Sequence, residues 1–353
     1  GLLGAAVGVA AAGVAGGIAL QRLIVRRGRP VPADPCADEP FDALRADAEL
    51  TVTTADGVDL HVEIVEPPGD GPPDLTVVFV HGFALDMGTF HFQRKELSEV
   101  EVPRLRLVLY DQPGHGRSGR LAAGQYTIEA LGEALHLLIE KVAPDGPLAL
   151  VGHSMGGMSV MALAEKHPEL FGPPGRIRAV ALISTSSGRL AEVPFGMPSA
   201  LTRIRQRLLP VLTGAARLTP AMIDRARGAA TDLSFLLTRR FGFASSNPSP
   251  NLVSYVERMN SRTSIEVIAG FVNTLFEHSR ATALAALART PVLVVGGDAD
   301  LFTPLSHSQE ICRVLPSAEL VVIPEAGHMA LLEYPEIVNP ALRTLLEKAA
   351  RAE

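Results

Sequence analysis

Basic charge is in short supply: 32 Lys and Arg stand against 38 Asp and Glu, a formal net charge of −6. Binding to nucleic acid needs a basic field to meet the phosphates, so this balance argues against a general nucleic-acid partner and leaves small molecules as the expected ones. Cysteine is nearly absent. Cys36 and Cys312 lie too far apart in the chain to read as a metal motif, and one optional pair is no disulfide framework. No nucleotide loop, metal-ligand spacing or Schiff-base lysine context occurs, so neither cofactor nor metal is implied. Internal repeats are missing as well. What the 353 residues do have is apolar bulk, 47% hydrophobic against 20% charged, enough for a large core in one big domain or two.

The first charge is also late. Residues 2–20 form an uncharged run of Leu, Ala, Val, Ile and Gly of bilayer length, followed at once by Arg22, Arg26, Arg27 and Arg29. An excess of arginine on the C-terminal flank orients such a span with the rest of the chain in the cytoplasm. Residues 1–29 are therefore expected to be a membrane anchor, with a secreted or soluble protein as the alternative, and the Pro/Ala/Asp-rich residues 30–47 a linker.

From 48 to 188 apolar runs alternate with helical patterns. Leu50-Thr-Val-Thr-Thr and Val58 to Val65 flank an Ala-Asp-Gly turn and predict a hairpin. Leu75 to Val80, Leu105 to Tyr110, Leu148 to Val151 and Ala179 to Ile183 are continuously apolar, as strands buried on both faces should be, and Ile128 to Val142 has helical periodicity. Such alternation predicts a mostly parallel sheet with helices on both faces. Strand signals then stop: residues 189–288 predict a helical cap, with Ser249-Pro250 and Thr219-Pro220 as helix starts. This segment has no Lys at all, twelve Arg and six acids, which reads as solvated helix faces. The sheet pattern resumes over 289–353 with Pro291 to Val295, Leu320 to Ile323 and a closing amphipathic helix from Leu331 to Ala350.

Chemistry concentrates at strand ends. Gly152-His-Ser154-Met-Gly156 places a serine at the apex of a small-residue turn between strand and helix, the G-x-S-x-G nucleophile elbow, in which Gly152 and Gly156 permit the close approach. A serine nucleophile needs a base, and the base a carboxylate that fixes its tautomer. His328, in Gly-His-Met after a strand, is the expected base. Asp298 and Asp300 both follow a strand. Asp300, four residues before Pro304, is favoured as the acid, with Asp298 as a turn former making a local Asx bond. The strand end at Ser184 to Ser187 holds no acid. The N–H groups of Met155, behind the nucleophile, and of Phe83, after His81-Gly82, are the expected oxyanion donors.

These motifs, His81-Gly82-Phe83, Asp111-x-x-Gly-x-Gly-x-Ser118, the elbow, Asp300-x-x-x-Pro304 and Gly327-His328, resemble those of the α/β-hydrolase family, in particular its cap-bearing serine hydrolases, over about residues 49–350. The resemblance implies an α/β fold with a mostly parallel eight-stranded sheet, Ser154 as nucleophile, His328 as base and Asp300 as orienting acid. It assigns Asp111 to a structural turn near the site. The implied activity is hydrolysis of a carboxylic, thio- or lipid ester through an acyl-enzyme. Carbon-carbon bond hydrolysis or perhydrolysis on the same triad, and a slow-turnover ligand receptor, are the alternatives.

Overall fold

The run from Leu75 to Val80 is buried at every position, because it lies in the middle of a sheet covered on both faces. The computed structural model describes residues 34–194, 236–245 and 247–351. The chain divides after Asp38, and the unit from Glu39 to Glu353 holds everything that follows. Its strands are β1 Ala48–Thr53, β2 Asp59–Val65, β3 Leu75–Val80, β4 Leu105–Tyr110, β5 Leu148–His153, β6 Ile177–Ile183, β7 Val292–Gly297 and β8 Glu319–Ile323, ordered β1-β2-β4-β3-β5-β6-β7-β8 in one sheet. The expected hairpin occupies the edge, with β1 antiparallel to β2 and β2 to β4; the remaining pairs are parallel.

Alternation along each strand sorts its side chains between two layers. Val78 and Val80 of β3 and Leu148 and Leu150 of β5 join one apolar cluster with helices α2 Ile128–Val142 and α3 Met155–Lys166, which follow α1 His91–Leu97 in the chain. Phe79 faces the other way and meets Phe90 with ring centroids 5.0 Å apart. Thr127 starts α2 by accepting the Ala130 N–H, and Ile128, Leu131, Leu135, Leu138 and Val142 form its buried stripe. Gly132 lets α2 press on α3: a Cβ there would stand 2.8 Å from that of Ala162.

Among the described residues between Ser187 and Pro291 every regular helix or strand is helical: short 3-10 turns at Leu190–Glu192 and Thr282–Leu287, a helix at 236–242, α4 Pro250–Arg262 and α5 Ile265–Glu277. Ser249 caps α4 as expected, accepting the Leu252 N–H at 3.1 Å with Pro250 in the first turn. The predicted start at Thr219-Pro220 falls outside the described residues. After β7 come α6 Leu305–Val314, and after β8 the short α7 Ala330–Glu333 and the long α8 Pro335–Arg351.

Two expectations need correction. The closing helix is two helices, because the residue before a proline avoids helical angles; Tyr334 breaks the run and Pro335 starts α8. The linker expected over 30–47 gives way to packed chain from Glu39 onward. Phe41 stacks on Tyr255 at 4.2 Å, Glu39 pairs with His91 and Lys95, and Asp42 pairs with Arg258 and Arg262. A proline-rich composition does not reveal such anchoring, which depends on side chains of α1 and α4. No helix among the described residues is long and apolar enough to cross a membrane; the apolar span at 2–20 lies outside them.

Candidate active site

Parallel order brings the ends of β3, β5, β7 and β8 to one edge of the sheet, where loops from neighbouring strands converge. At the end of β5 the chain turns within one residue into α3. Ser154 carries the turn with φ 53° and ψ −119°, a backbone state costly for a non-glycine residue and held only because its surroundings fix it. Its N–H bonds to the Ile183 carbonyl at 3.0 Å, and its carbonyl accepts the Thr185 hydroxyl at 2.6 Å. Gly152 and Gly156 are required by contact. A Cβ at Gly156 would overlap the Val80 carbonyl, and one at Gly152 would crowd Gly157 at 2.7 Å.

Ser154, His328 and Asp300 form one hydrogen-bonded chain. His328 Nε2 stands 2.9 Å from the Ser154 hydroxyl oxygen, and His328 Nδ1 stands 2.9 Å from Asp300 Oδ2. Since a carboxylate only accepts, the proton is on Nδ1 and the Nε2 lone pair faces the serine. Asp300 is almost wholly buried. Burial pushes its carboxyl up, but the neighbouring His328 and the donors of Thr303 outweigh that and hold it below the ordinary range. Its oxygens are saturated: Oδ1 accepts the N–H groups of Phe302 and Thr303, and Oδ2 accepts the Thr303 hydroxyl at 2.7 Å as well as His328. Asp298 is elsewhere. Its Oδ1 accepts the Glu325 N–H at 2.7 Å, a tie between two loops in place of the expected local Asx bond.

Around this chain stand residues whose parts were not legible in the sequence. Thr303 belongs to the Asp-x-x-Thr spacing that commonly closes an Asx-type turn, a signal present but unused. His153, expected only as part of the elbow, is fully buried and donates from Nε2 to the His328 carbonyl at 3.1 Å, pinning the backbone that carries the imidazole. Burial first, and then the nearby His328, push His153 down to about 3, so it is neutral.

His81 is locked likewise. Its Nε2 accepts the Gln112 N–H at 2.8 Å, so Nδ1 carries the proton and donates to the Gly82 carbonyl. The Gln112 side chain returns a 2.6 Å bond to the His81 carbonyl and accepts the Ser159 hydroxyl from α3. This ties the loop after β3 to the elbow helix. Gly82 runs beside Ser154: a Cβ on it would come within 3.2 Å of the Ser154 Cβ. Phe83 follows it, and Met155 is the first residue of α3, where a helix N–H has no partner within the helix. Asp111 accepts the Met87 and Arg117 N–H groups at 2.9 and 2.8 Å and closes the turn that ends β4; burial, with Asp86 next in size, pushes its carboxyl up to about 6. Above, α5 forms a roof: Phe271 packs edge-on to Tyr126 at 5.1 Å and against His115 at 5.5 Å.

The sequence matches the α/β-hydrolase fold family over residues 76–335, most of the chain. The protein belongs to the α/β-hydrolase fold family. Among the solved structures, a thermophilic esterase from Thermogutta terrifontis is 25% identical with a TM-score of 0.63, covering 86% of this chain and 99% of its own. The pimeloyl-[acyl-carrier protein] methyl ester esterase of Nitrosomonas europaea is 27% identical over 77% of this chain and 94% of its own length. The dihydrolipoyllysine-residue acetyltransferase component of the acetoin cleaving system of Pseudomonas putida is 26% identical over 79% of this chain, which spans only 65% of that relative.

Proposed function

We propose that this α/β hydrolase is a serine hydrolase that cleaves carboxylic esters of small molecules through an acyl-enzyme on Ser154. The observation that carries the reading is the unbroken chain from the Ser154 hydroxyl through His328 to a saturated, buried Asp300 carboxylate. The esterases among its relatives and structural neighbours support it.

In the first half-reaction His328 Nε2 takes the hydroxyl proton while Ser154 Oγ bonds to the ester carbonyl carbon. The negative oxygen turns toward the N–H groups of Phe83 and Met155. His328 passes its proton to the departing alkoxide, which leaves as an alcohol, and the acyl group stays on Ser154. A water then loses a proton to His328 and attacks the acyl carbonyl, releasing the acid and restoring the hydroxyl. The Asp300 carboxylate holds the Nδ1 proton throughout and balances the imidazolium.

A fluorophosphonate is expected to label the protein once, at Ser154, and the unlabelled protein to turn over a p-nitrophenyl ester. No labelling at Ser154 would defeat the serine mechanism; labelling without ester turnover would move the activity to carbon-carbon cleavage, perhydrolysis or ligand binding. The two aspartates give a comparison. Asp300→Asn turns an amide N–H toward His328 Nδ1, favours the wrong tautomer and is expected to cost about 10⁴ in kcat. Asp298→Asn keeps an acceptor for the Glu325 N–H and is expected to cost less than about twofold. The reverse ranking would transfer the acid role to Asp298. We also read residues 2–20 as a membrane anchor with a cytoplasmic catalytic body. Carbonate-washed membranes should retain the full chain and release a form starting at Val31; full-length protein in the wash would end that reading.

A further inference from the structure

Glu133 and His136 lie one turn apart on α2, and His167 closes the C-terminal end of α3, the helix packed against it. One possible ligand atom from each residue lies within 4.8 Å of the other two. The imidazoles of His136 and His167 stack with centroids 3.7 Å apart and planes 23° from parallel.

His167 stands between two carboxylates. Its Nδ1 stands 3.4 Å from a Glu169 carboxylate oxygen, and its Nε2 faces the other way, toward α2. That Nε2 is shut off from solvent and has no hydrogen-bond partner, and 3.8 Å from it stands Glu133 Oε1. A ring nitrogen without a partner and a carboxylate oxygen facing each other leave a place for a cation between them. Lys166 supplies one beside the pair, with Nζ 2.6 Å from the same Glu133 oxygen, but its side chain is 64% exposed and free to swing into water.

We propose that Glu133, His136 and His167 bind a divalent transition-metal ion that fastens α2 to the far end of α3. Two imidazoles and one carboxylate suit Zn²⁺ and its neighbours, not Mg²⁺ or Ca²⁺, which seek oxygen. Coordination at about 2.1 Å needs the three donors to close to roughly 3.3 Å of one another and the two rings to turn out of their stack, since each ring nitrogen binds in its own plane, a side-chain rotation at a partly exposed site. Water completes the shell, and Glu169 orients His167 by holding its Nδ1 proton, as carboxylates behind metal-bound histidines do. The three residues come from two helices 31 to 34 positions apart, so no linear motif announces them. A second acidic and histidine cluster, Glu49, His61 and Glu63, is unsuited: buried Arg94 bonds Glu63 at 2.6 Å and Arg117 bonds Glu49, and a buried guanidinium cannot step aside. Twelve residues of α3, about 18 Å, separate the site from Ser154, so the ion takes no part in the reaction.

Full-length protein stripped with EDTA and titrated calorimetrically with ZnCl₂ is expected to bind one ion at this site with micromolar affinity. Its unfolding temperature should rise by several degrees, and MgCl₂ and CaCl₂ should leave it unchanged. His136→Ala and His167→Ala should each weaken that binding at least 30-fold and abolish the rise, while His61→Ala should retain both. Should His167→Ala disturb the end of α3, His136→Asn on α2 carries the same expectation. Binding and stabilisation that persist in the His136 variants, or that Mg²⁺ reproduces, would overturn the site.

Discussion

Alanine at position 154 is expected to lower ester turnover by about 10⁶, to the solution background, and to abolish fluorophosphonate labelling, with the unfolding temperature little changed. The hydroxyl removed is the group that His328 Nε2 faces at 2.9 Å. The fold does not depend on it. The strained turn at Ser154 is held by backbone bonds to Ile183 and Thr185 and by the two glycines, all of which an alanine keeps. His328→Ala is expected to cost nearly as much, because members of a triad act as a unit and single losses do not add. Residual turnover above a few per cent of wild type in Ser154→Ala, with circular dichroism and unfolding temperature retained, would place the nucleophile elsewhere.

Acid is expected to destabilise the fold by several kcal/mol between pH 6.5 and pH 5. Four buried histidines set the direction. Burial is the main cause for each: it pushes His115 and His278 down to about 4 and His153 to about 3, and holds His81 well below the ordinary 6.5. Neighbouring charge adds to it, Arg280 at His278 and His328 at His153. Below pH 6.5 the unfolded chain takes up these protons and the folded chain does not. The stability they contribute is therefore present above the unfolded value and lost as pH falls. His115, His278 and His153 each contribute about 2 kcal/mol of the loss by pH 5, a large share together of a typical 5–15 kcal/mol, and His81 acts in the same sense.

Raised carboxyls oppose the trend. Asp111, pushed up to about 6, returns about 1 kcal/mol over the same range, and Asp86 and Glu333, also raised by burial, act in the same sense. Urea unfolding at pH 7.5, 6.5, 5.5 and 5.0 measures the balance. A stability unchanged across that series would mean that the four rings are not buried neutral. His115→Gln, which keeps a donor for the Pro113 carbonyl, should reduce the proton uptake by one.

What could be read from the chain alone was what local pattern encodes. Continuous apolar runs marked β3, β5 and β7, since a strand covered on both faces has no polar side to show. The glycines around Ser154 marked the elbow because nothing larger fits there. The supports of the site were hidden for the opposite reason. The bond from His153 to the His328 carbonyl joins residues 175 positions apart, and that of the Gln112 side chain to the Ser159 hydroxyl joins residues 47 apart. Such pairs have no spacing to recognise until the sheet order brings them together. Phe41 looked like part of a linker because its partner, Tyr255, sits on α4. Tyr334-Pro335, by contrast, carried a local signal that helical periodicity outweighed.

The sheet order also imposes a timetable on synthesis. Ser154 and His328 meet across 174 positions, which a ribosome covers in roughly 10–35 s at about 5–20 residues per second. On the mechanism proposed above, the nascent chain carries the serine during that interval with no base beside it. A product interrupted before residue 328 would then carry an inert hydroxyl, and the edge β8 that delivers the histidine is the last of the described strands to be made. On that mechanism, nucleophilic reactivity is deferred until the sheet that contains it has been completed.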